Sequence, residues 1–337
     1  MKAIRYHKTG GPDVLSQDEV TDLEPSEGEA VVRVAAAGVN RIDIWARTGR
    51  YKTSLPHTLG TDVAGEVAAV RPHAAEAGSQ VVVYPVLSDG SCVYCRGGSP
   101  SLCLRRGFVG IATDGGYAEL VKVPLANLIP LRGLDPKTAA AMPVDFGTAW
   151  NGLSRKAKVG DGDVVLVWGA AGGLGHAAVQ IAKHLGARVI AAVGSDSKAD
   201  FVRSLGADHV VNYASHDIAE EVRSLTDGLG ASVVFDHVGG DTWAKSLDCL
   251  ARGGRMVALG LTSGPKSEVD VRRVYSDELS IMGVYGQSKG DVEQVLRLAA
   301  EGKLRPSIYR ELPLAEARRA HEIVESREVL GKVLLIP

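Results

Sequence analysis

The chain has 337 residues, with 38 Lys and Arg against 40 Asp and Glu, a formal net charge of −2 and 45% apolar residues. That length predicts two domains, each with a core of its own. The balanced charge, with no Lys/Arg block, argues against nucleic acid or an anionic membrane as partner and leaves a small-molecule substrate.

From Met1 to about Val123 the pattern is strand-like: Ala30 to Ala35, Val63 to Val70 and Gln80 to Tyr84 are short β-branched runs between Gly/Pro turns. The opening Met1 to His7 turns charged at once, and no later apolar run approaches the roughly 18 residues of a membrane span, so a soluble, cytoplasmic protein is expected. Three of the four cysteines fall between Cys92 and Cys103 and the fourth, Cys249, is distant, which does not suit a secreted disulfide scaffold. Helical texture follows from Leu134 to Lys158. Beyond Asp163, strands (Val164 to Val167, Arg188 to Val193, Ser232 to Phe235, Arg255 to Leu259) alternate with amphipathic helices (His176 to Leu185, Lys198 to Leu205), the pattern of a parallel α/β sheet. A strand at Leu279 to Val284, helices at Asp291 to Glu301 and Leu314 to Ser326, and a strand at Val329 to Ile336 complete the chain.

The run Val164 to Trp168 leads into Gly169-Ala-Ala-Gly-Gly-Leu-Gly175, and a helix follows. Small residues there let the backbone turn tightly and approach a pyrophosphate, whose charge faces the free N–H groups of the helix. Gly172 and Gly175 fill the second and third glycine positions of G-x-G-x-x-G, Ala170 replaces the first, and Gly173 and Leu174 complete the loop. A glycine-rich turn that only packs helix on strand is the plainer alternative, but strand, loop and helix together favour a dinucleotide. At the end of the next strand stand Val193 and Gly194, with no acid to bind a ribose 2′-hydroxyl or repel a 2′-phosphate. Ser195 and Lys198 suit that phosphate, so NADP(H) is favoured over NAD(H), although Asp196 keeps NAD(H) open and an ordinary capped turn would read the same way.

Together with Gly38-Val-Asn-Arg-Ile-Asp43, Leu59-Gly-Thr-Asp-Val-Ala-Gly-Glu66 and the Cys92 to Cys103 lobe, the loop makes the chain resemble the medium-chain dehydrogenase/reductase superfamily, most closely its quinone oxidoreductase branch. That resemblance implies an α/β fold: a doubly wound parallel Rossmann sheet, expected at 127–270, inserted in a GroES-like, mainly β catalytic domain from 1–126 and 271–337. Zinc alcohol dehydrogenases place Cys, His, Glu and Cys where this chain has Asn40, Thr61, Asp62 and Val144. Asn40, Thr61 and Val144 cannot supply three good ligands, so no catalytic zinc is expected. Asp89-x2-Cys92-x2-Cys95-x7-Cys103 keeps the family's structural-zinc spacing, with Asp89 for the usual first Cys, and predicts one structural zinc without a chemical role; three reduced cysteines in a metal-free loop are the alternative.

Without a metal to polarise a carbonyl, hydride must pass to an already activated acceptor, a quinone or an α,β-unsaturated carbonyl, held by hydrogen bonds. The resemblance implies that Asn40, Asp43 and Tyr51 stand beside the nicotinamide. Asn40 and Tyr51 could donate to a developing oxyanion while Asp43 orients a neighbour. Each has a plainer role: Asn40 capping a turn, Asp43 opening a short helix to Arg47, Tyr51 packing half-buried. Thr61 and Asp62 are further candidates for contact with substrate or ribose, Thr148 for contact with the nicotinamide, and the turns at Asp236 to Gly240 and at Gly260 for its ribose; His57 and His237 read as structural. The expectation is an NADPH-dependent reductase of quinones or activated alkenes. An alcohol dehydrogenase with an atypical metal site and a cofactor-binding scaffold or sensor without turnover are the alternatives. The resemblance also implies a homodimer or homotetramer, with Leu279 to Val284 as a candidate pairing edge.

Overall fold

The computed structural model describes residues 1–71 and 77–337. Two compact units emerge, Met1–Gly147 with Gly286–Pro337, and Thr148–Tyr285.

In the first unit the strand Glu29–Val39 is the spine. It pairs antiparallel with Asp62–Val70, Leu120–Pro124 and Lys332–Ile336. Its middle alternates, with Val32 and Val34 buried and Arg33 and Ala35 exposed, as a half-solvated strand should. From Ala36 to Val39 every residue is buried, because the helix Pro136–Ala140 covers that end of the sheet. Among the described residues the sheet runs Leu128–Pro130, Gln80–Val83, Asp62–Val70, Glu29–Val39, Lys332–Ile336, Ile308–Pro313, with Leu120–Pro124 attached to the spine. Strands from the first 130 residues and from the last 30 therefore share one sheet, while Lys2–Tyr6 pairs with Leu15–Glu19 and His57–Thr58 in a separate small sheet.

The second unit holds six parallel strands in the order His209–Asn212, Arg188–Val193, Val164–Val167, Ala231–Asp236, Leu250–Ala258, Ser280–Gly283. This 3-2-1-4-5-6 sequence is the Rossmann arrangement, with its reversal beside the first strand. The helix Gly173–His184 buries Ala177, Ala178, Ile181 and Ala182, spaced to cover one face. Leu166, Trp168, Ile190, Val234 and Met256 lie in the core cluster.

The unit limits differ from those expected at 126/127 and 270/271. Residues 127–147 join the first unit because their helix Pro136–Ala140 packs on its two central strands. Residues 271–285 stay with the second because Ser280–Gly283 extends the parallel sheet beside Leu250–Ala258. That edge strand exposes Ile281, and the preceding helix Val271–Ser276 exposes Val271 and Tyr275. Among the described residues no helix is long and apolar enough to cross a membrane.

Candidate functional site

The first unit gathers Asn40, Asp62, Asp145 and Lys332 into one buried cluster. Asn40 ends the spine strand and caps the helix Arg41–Arg47, Asp62 opens its neighbour strand, Lys332 opens the C-terminal strand, and Asp145 begins the helix Asp145–Trp150. Lys332 is 1% exposed. Its Nζ donates to Asn40 Oδ1 at 2.5 Å, to Asp62 Oδ2 at 2.8 Å and to Asp145 Oδ2 at 2.8 Å, so three ammonium hydrogens meet three oxygens. Burial opposes its charge, but Asp145 and Asp62 outweigh that and hold the ammonium above the ordinary lysine value. A Cβ at Gly38 would come within 2.8 Å of Lys332 Cε and 2.6 Å of the Ala140 carbonyl oxygen, so the bare backbone there leaves the lysine its path.

This geometry fixes the Asn40 amide. Its Oδ1 faces a pure donor and its Nδ2 donates to Asp62 Oδ2 at 2.9 Å, a pure acceptor when ionised. The Val144 N–H occupies Asp62 Oδ1 at 2.9 Å. One Asn40 N–H is left without a partner among the described residues, on a side chain 5% exposed.

Asp43, at the third position of the helix Arg41–Arg47, accepts from Asn40 N at 2.8 Å, Thr61 Oγ1 at 2.7 Å and Tyr117 Oη at 3.2 Å. Burial pushes its carboxyl up to about 6, against the pull of the Thr61 and Asn40 hydrogen bonds. Behind it, Tyr117 meets His321 Nε2 at 3.3 Å, His321 Nδ1 meets Arg47 at 3.2 Å, and Arg47 reaches Glu325 at 2.6 Å. Burial and the Arg47 charge push His321 down to about 3, so the ring is neutral. The short helix starts at Arg41, two residues before the Asp43 start that the plainer reading gave it, and Asp43 holds the Asn40 N–H, Thr61 and Tyr117 by hydrogen bonds. Thr61 spends its hydrogen on Asp43 and can offer a ligand only lone pairs. Tyr51 is half-buried, with its ring 6.4 Å from that of Trp45 on the helix Arg41–Arg47.

In the second unit the loop after Val164–Val167 turns through Gly169, at φ 54°. Gly172 caps the helix, and its Cβ position meets only the Gly169 carbonyl at 3.6 Å, which leaves room for a close ligand. Gly175 lies against Gly169 and Ala170, where a side chain would strike backbone. Gly260 is pressed in the same way against the His237 carbonyl. His237 Nε2 meets the Trp168 carbonyl at 2.8 Å and His57 Nε2 that of Gly110 at 3.0 Å, structural contacts for both. Thr148 is buried on the helix Asp145–Trp150. At the end of Arg188–Val193, Ser195 and Ser197 share a hydrogen bond of 2.8 Å and Asp196 accepts from Asn212 at 3.0 Å. The Tyr213 hydroxyl stands 2.9 Å from where Gly194 would carry a Cβ, on a ring 38% exposed.

Asp89, Cys92, Cys95 and Cys103 converge: one ligand atom from each lies within 4.8 Å of all the others. Three thiols and a carboxylate fit a structural zinc. The N–H groups of Cys92 and Ser91 hold Asp89 Oδ1 at 2.9 and 2.8 Å and keep its carboxyl well below the usual range. Backbone N–H groups of Asp89 and Arg105 approach Cys103 Sγ at 3.4 Å, as they would a thiolate.

The structure thus brings Asn40, Asp43, Thr61 and Asp62 together. It adds Asp145, Tyr117, His321 and Lys332, which the sequence reading missed, and places Tyr213 beside Gly194. A lysine heading the apolar run Val333 to Ile336 was the one available signal for a buried charge.

Comparison with known proteins gives two family matches, an alcohol dehydrogenase GroES-like domain over residues 26–133 and a zinc-binding dehydrogenase over residues 173–301. The quinone oxidoreductase of Salmonella typhimurium (strain LT2) is 35% identical, with 99% of each chain covered. The 2-haloacrylate reductase of a Burkholderia species is 33% identical, covering 99% of this chain and 98% of the relative. A crystal structure of an NAD-dependent alcohol dehydrogenase matches with a TM-score of 0.96 at 41% identity, covering both chains fully.

Proposed function

The chain belongs to the medium-chain dehydrogenase/reductase superfamily of NAD(P)-dependent oxidoreductases, and within it we propose an NADPH-dependent reductase of quinones or activated alkenes that works without a catalytic zinc. The observation that carries this reading is the Lys332 ammonium bonded to Asn40 and Asp62, two of the positions where the zinc enzymes keep metal ligands. Those side chains are committed to a lysine, and Thr61 to Asp43. A carboxamide, a hydroxyl and an isopropyl group are in any case a poor donor set for zinc.

When bound, NADPH supplies hydride to the electrophilic carbon of the acceptor. The chain's own part is electrostatic. Asn40 offers its remaining N–H to the oxygen on which negative charge develops, and water completes protonation. Such a donor suffices where the acceptor is already activated, as in an enone or a quinone. A simple aldehyde needs a stronger polarising group.

A steady-state screen with NADPH tests the reading. Turnover of 2-cyclohexen-1-one or 1,4-naphthoquinone is expected, with at most one zinc per chain by metal analysis. Turnover of simple alcohols alone would overturn it. The likeness to the NAD-dependent alcohol dehydrogenase favours a second reading, a metal-dependent alcohol dehydrogenase, which requires at least two zinc ions per chain.

For the cofactor, Ser195, Lys198 and the Tyr213 hydroxyl near Gly194 support a 2′-phosphate site, with Asp196 engaged by Asn212. The double variant Lys198→Ala/Tyr213→Phe is expected to lower the NADPH-over-NADH ratio of kcat/KM by about 100-fold, two hydrogen bonds to a charged group at roughly 1.5 kcal/mol or more each. An unchanged ratio would show that Lys198 and Tyr213 do not read the 2′-phosphate, and a wild-type ratio below one would assign the chain to NADH.

A further inference from the structure

We propose that Lys332 is a positioning residue for this reduction: a built-in ammonium bonded to Asn40 and Asp62, which holds Asn40 Oδ1 and so presents the second Asn40 N–H to the acceptor oxygen. The inference rests on the functional reading above and deepens it.

Three observations carry it. Lys332 uses its hydrogens on Asn40, Asp62 and Asp145, so it is saturated and acts through a neighbour. Its bond to Oδ1 excludes the flipped amide, in which NH2 would face ammonium, and pairs with the Asn40 bond to Asp62 to leave one N–H uncommitted. A cation on the carbonyl side also polarises the amide and strengthens its N–H as a donor. The path for the lysine is built into the sheet, because at Gly38 a Cβ would crowd Lys332 Cε.

Bonds from Lys332 to two aspartates are equally what a purely structural ion pair would make, so the test must separate positioning from packing. Asp62→Asn serves as the reference background, and Lys332→Met is made within it so that fewer carboxylates are stranded. With NADPH and 2-cyclohexen-1-one, Lys332→Met/Asp62→Asn is expected to lose about 100-fold in kcat against Asp62→Asn, with the KM for NADPH within about twofold. Lys332→Arg, which keeps the charge, is expected to retain kcat within about tenfold of wild type. In an Asn40→Leu background the lysine should no longer matter, so the triple variant is expected to match Asn40→Leu/Asp62→Asn within about threefold.

A folded Lys332→Met/Asp62→Asn protein with kcat within about threefold of its reference would overturn the proposal, as would losses that multiply when the Asn40 and Lys332 changes are combined. The functional reading is judged separately on the wild type, by whether it consumes NADPH with the enone or the quinone. A wild type inactive with both removes the reading and the lysine's role together. An active wild type with an indifferent Lys332 removes only the latter.

Discussion

Lys332→Met alone is expected to lower the unfolding free energy by about 3–5 kcal/mol, the usual cost of deleting one partner of a buried ion pair. Asp62 is 0% exposed and would be left with no compensating cation, while Asp145 would lose its bond to Nζ. Methionine fills most of the volume, so the cost is electrostatic. The pH dependence has a definite sign. The fold raises Lys332 above its ordinary 10.5, so the lysine's contribution is complete below that pH and is lost only as pH climbs through the folded value. Burial raises Asp62, and without Lys332 it rises further. A carboxyl so raised favours the fold when protonated, so the variant's deficit should shrink from pH 7.5 toward pH 5, and Asp62→Asn should recover much of it. Denaturant unfolding of the variants at both pH values measures this. A deficit below about 1 kcal/mol at pH 7.5 would mean the pair is solvated in solution.

Removal of zinc from the Asp89 lobe is expected to unfold the lobe and leave the chemistry intact. The segment from Asp89 to Arg106 has little core: Cys103 is buried, whereas Val93, Tyr94, Leu102 and Leu104 are exposed. A structural zinc contributes on the order of 10 kcal/mol to the segment that binds it, far more than this packing supplies. Cys103→Ser is expected to reduce zinc from one per chain to well below one and to open Arg96, Arg105 and Arg106 to trypsin, with initial kcat close to that of wild type. Mass spectrometry of the fragments and metal analysis check it. Equal trypsin resistance with and without metal would show that the lobe folds by itself.

The Rossmann unit was legible because its determinants are local. Val164 to Val167 and Val189 to Val193 are continuous apolar runs, the loop glycines sit between strand and helix, and a 3.6-residue period marks Gly173–His184. The metal lobe was legible for the same reason, its four ligands lying within fifteen residues. His209–Asn212 and Ile308–Pro313 escaped because they are short or mostly polar, and pairing with the neighbouring strand makes them strands. Lys332 escaped for a different reason. Its partners lie 292, 270 and 187 residues away, and no periodicity encodes a contact of that range. Altered residues at 40, 61, 62 and 144 were visible as departures from a pattern, but the cation among them appears only once the C-terminal strand lies beside the spine.

The line of hydrogen bonds behind Asp43 has a polarity. Guanidinium only donates, so Arg47 gives to His321 Nδ1, the neutral ring must keep its hydrogen on Nε2, and Tyr117 accepts that hydrogen and gives its own to Asp43. Every hydrogen points inward. A relay to the rim at Glu325 would require Arg47 to surrender a proton, which it does not do. The line is thus an insulator: it fixes Asp43 in place and keeps bulk protons from reaching it along that route, and any exchange at this carboxylate must come from the side of Asn40 and Thr61.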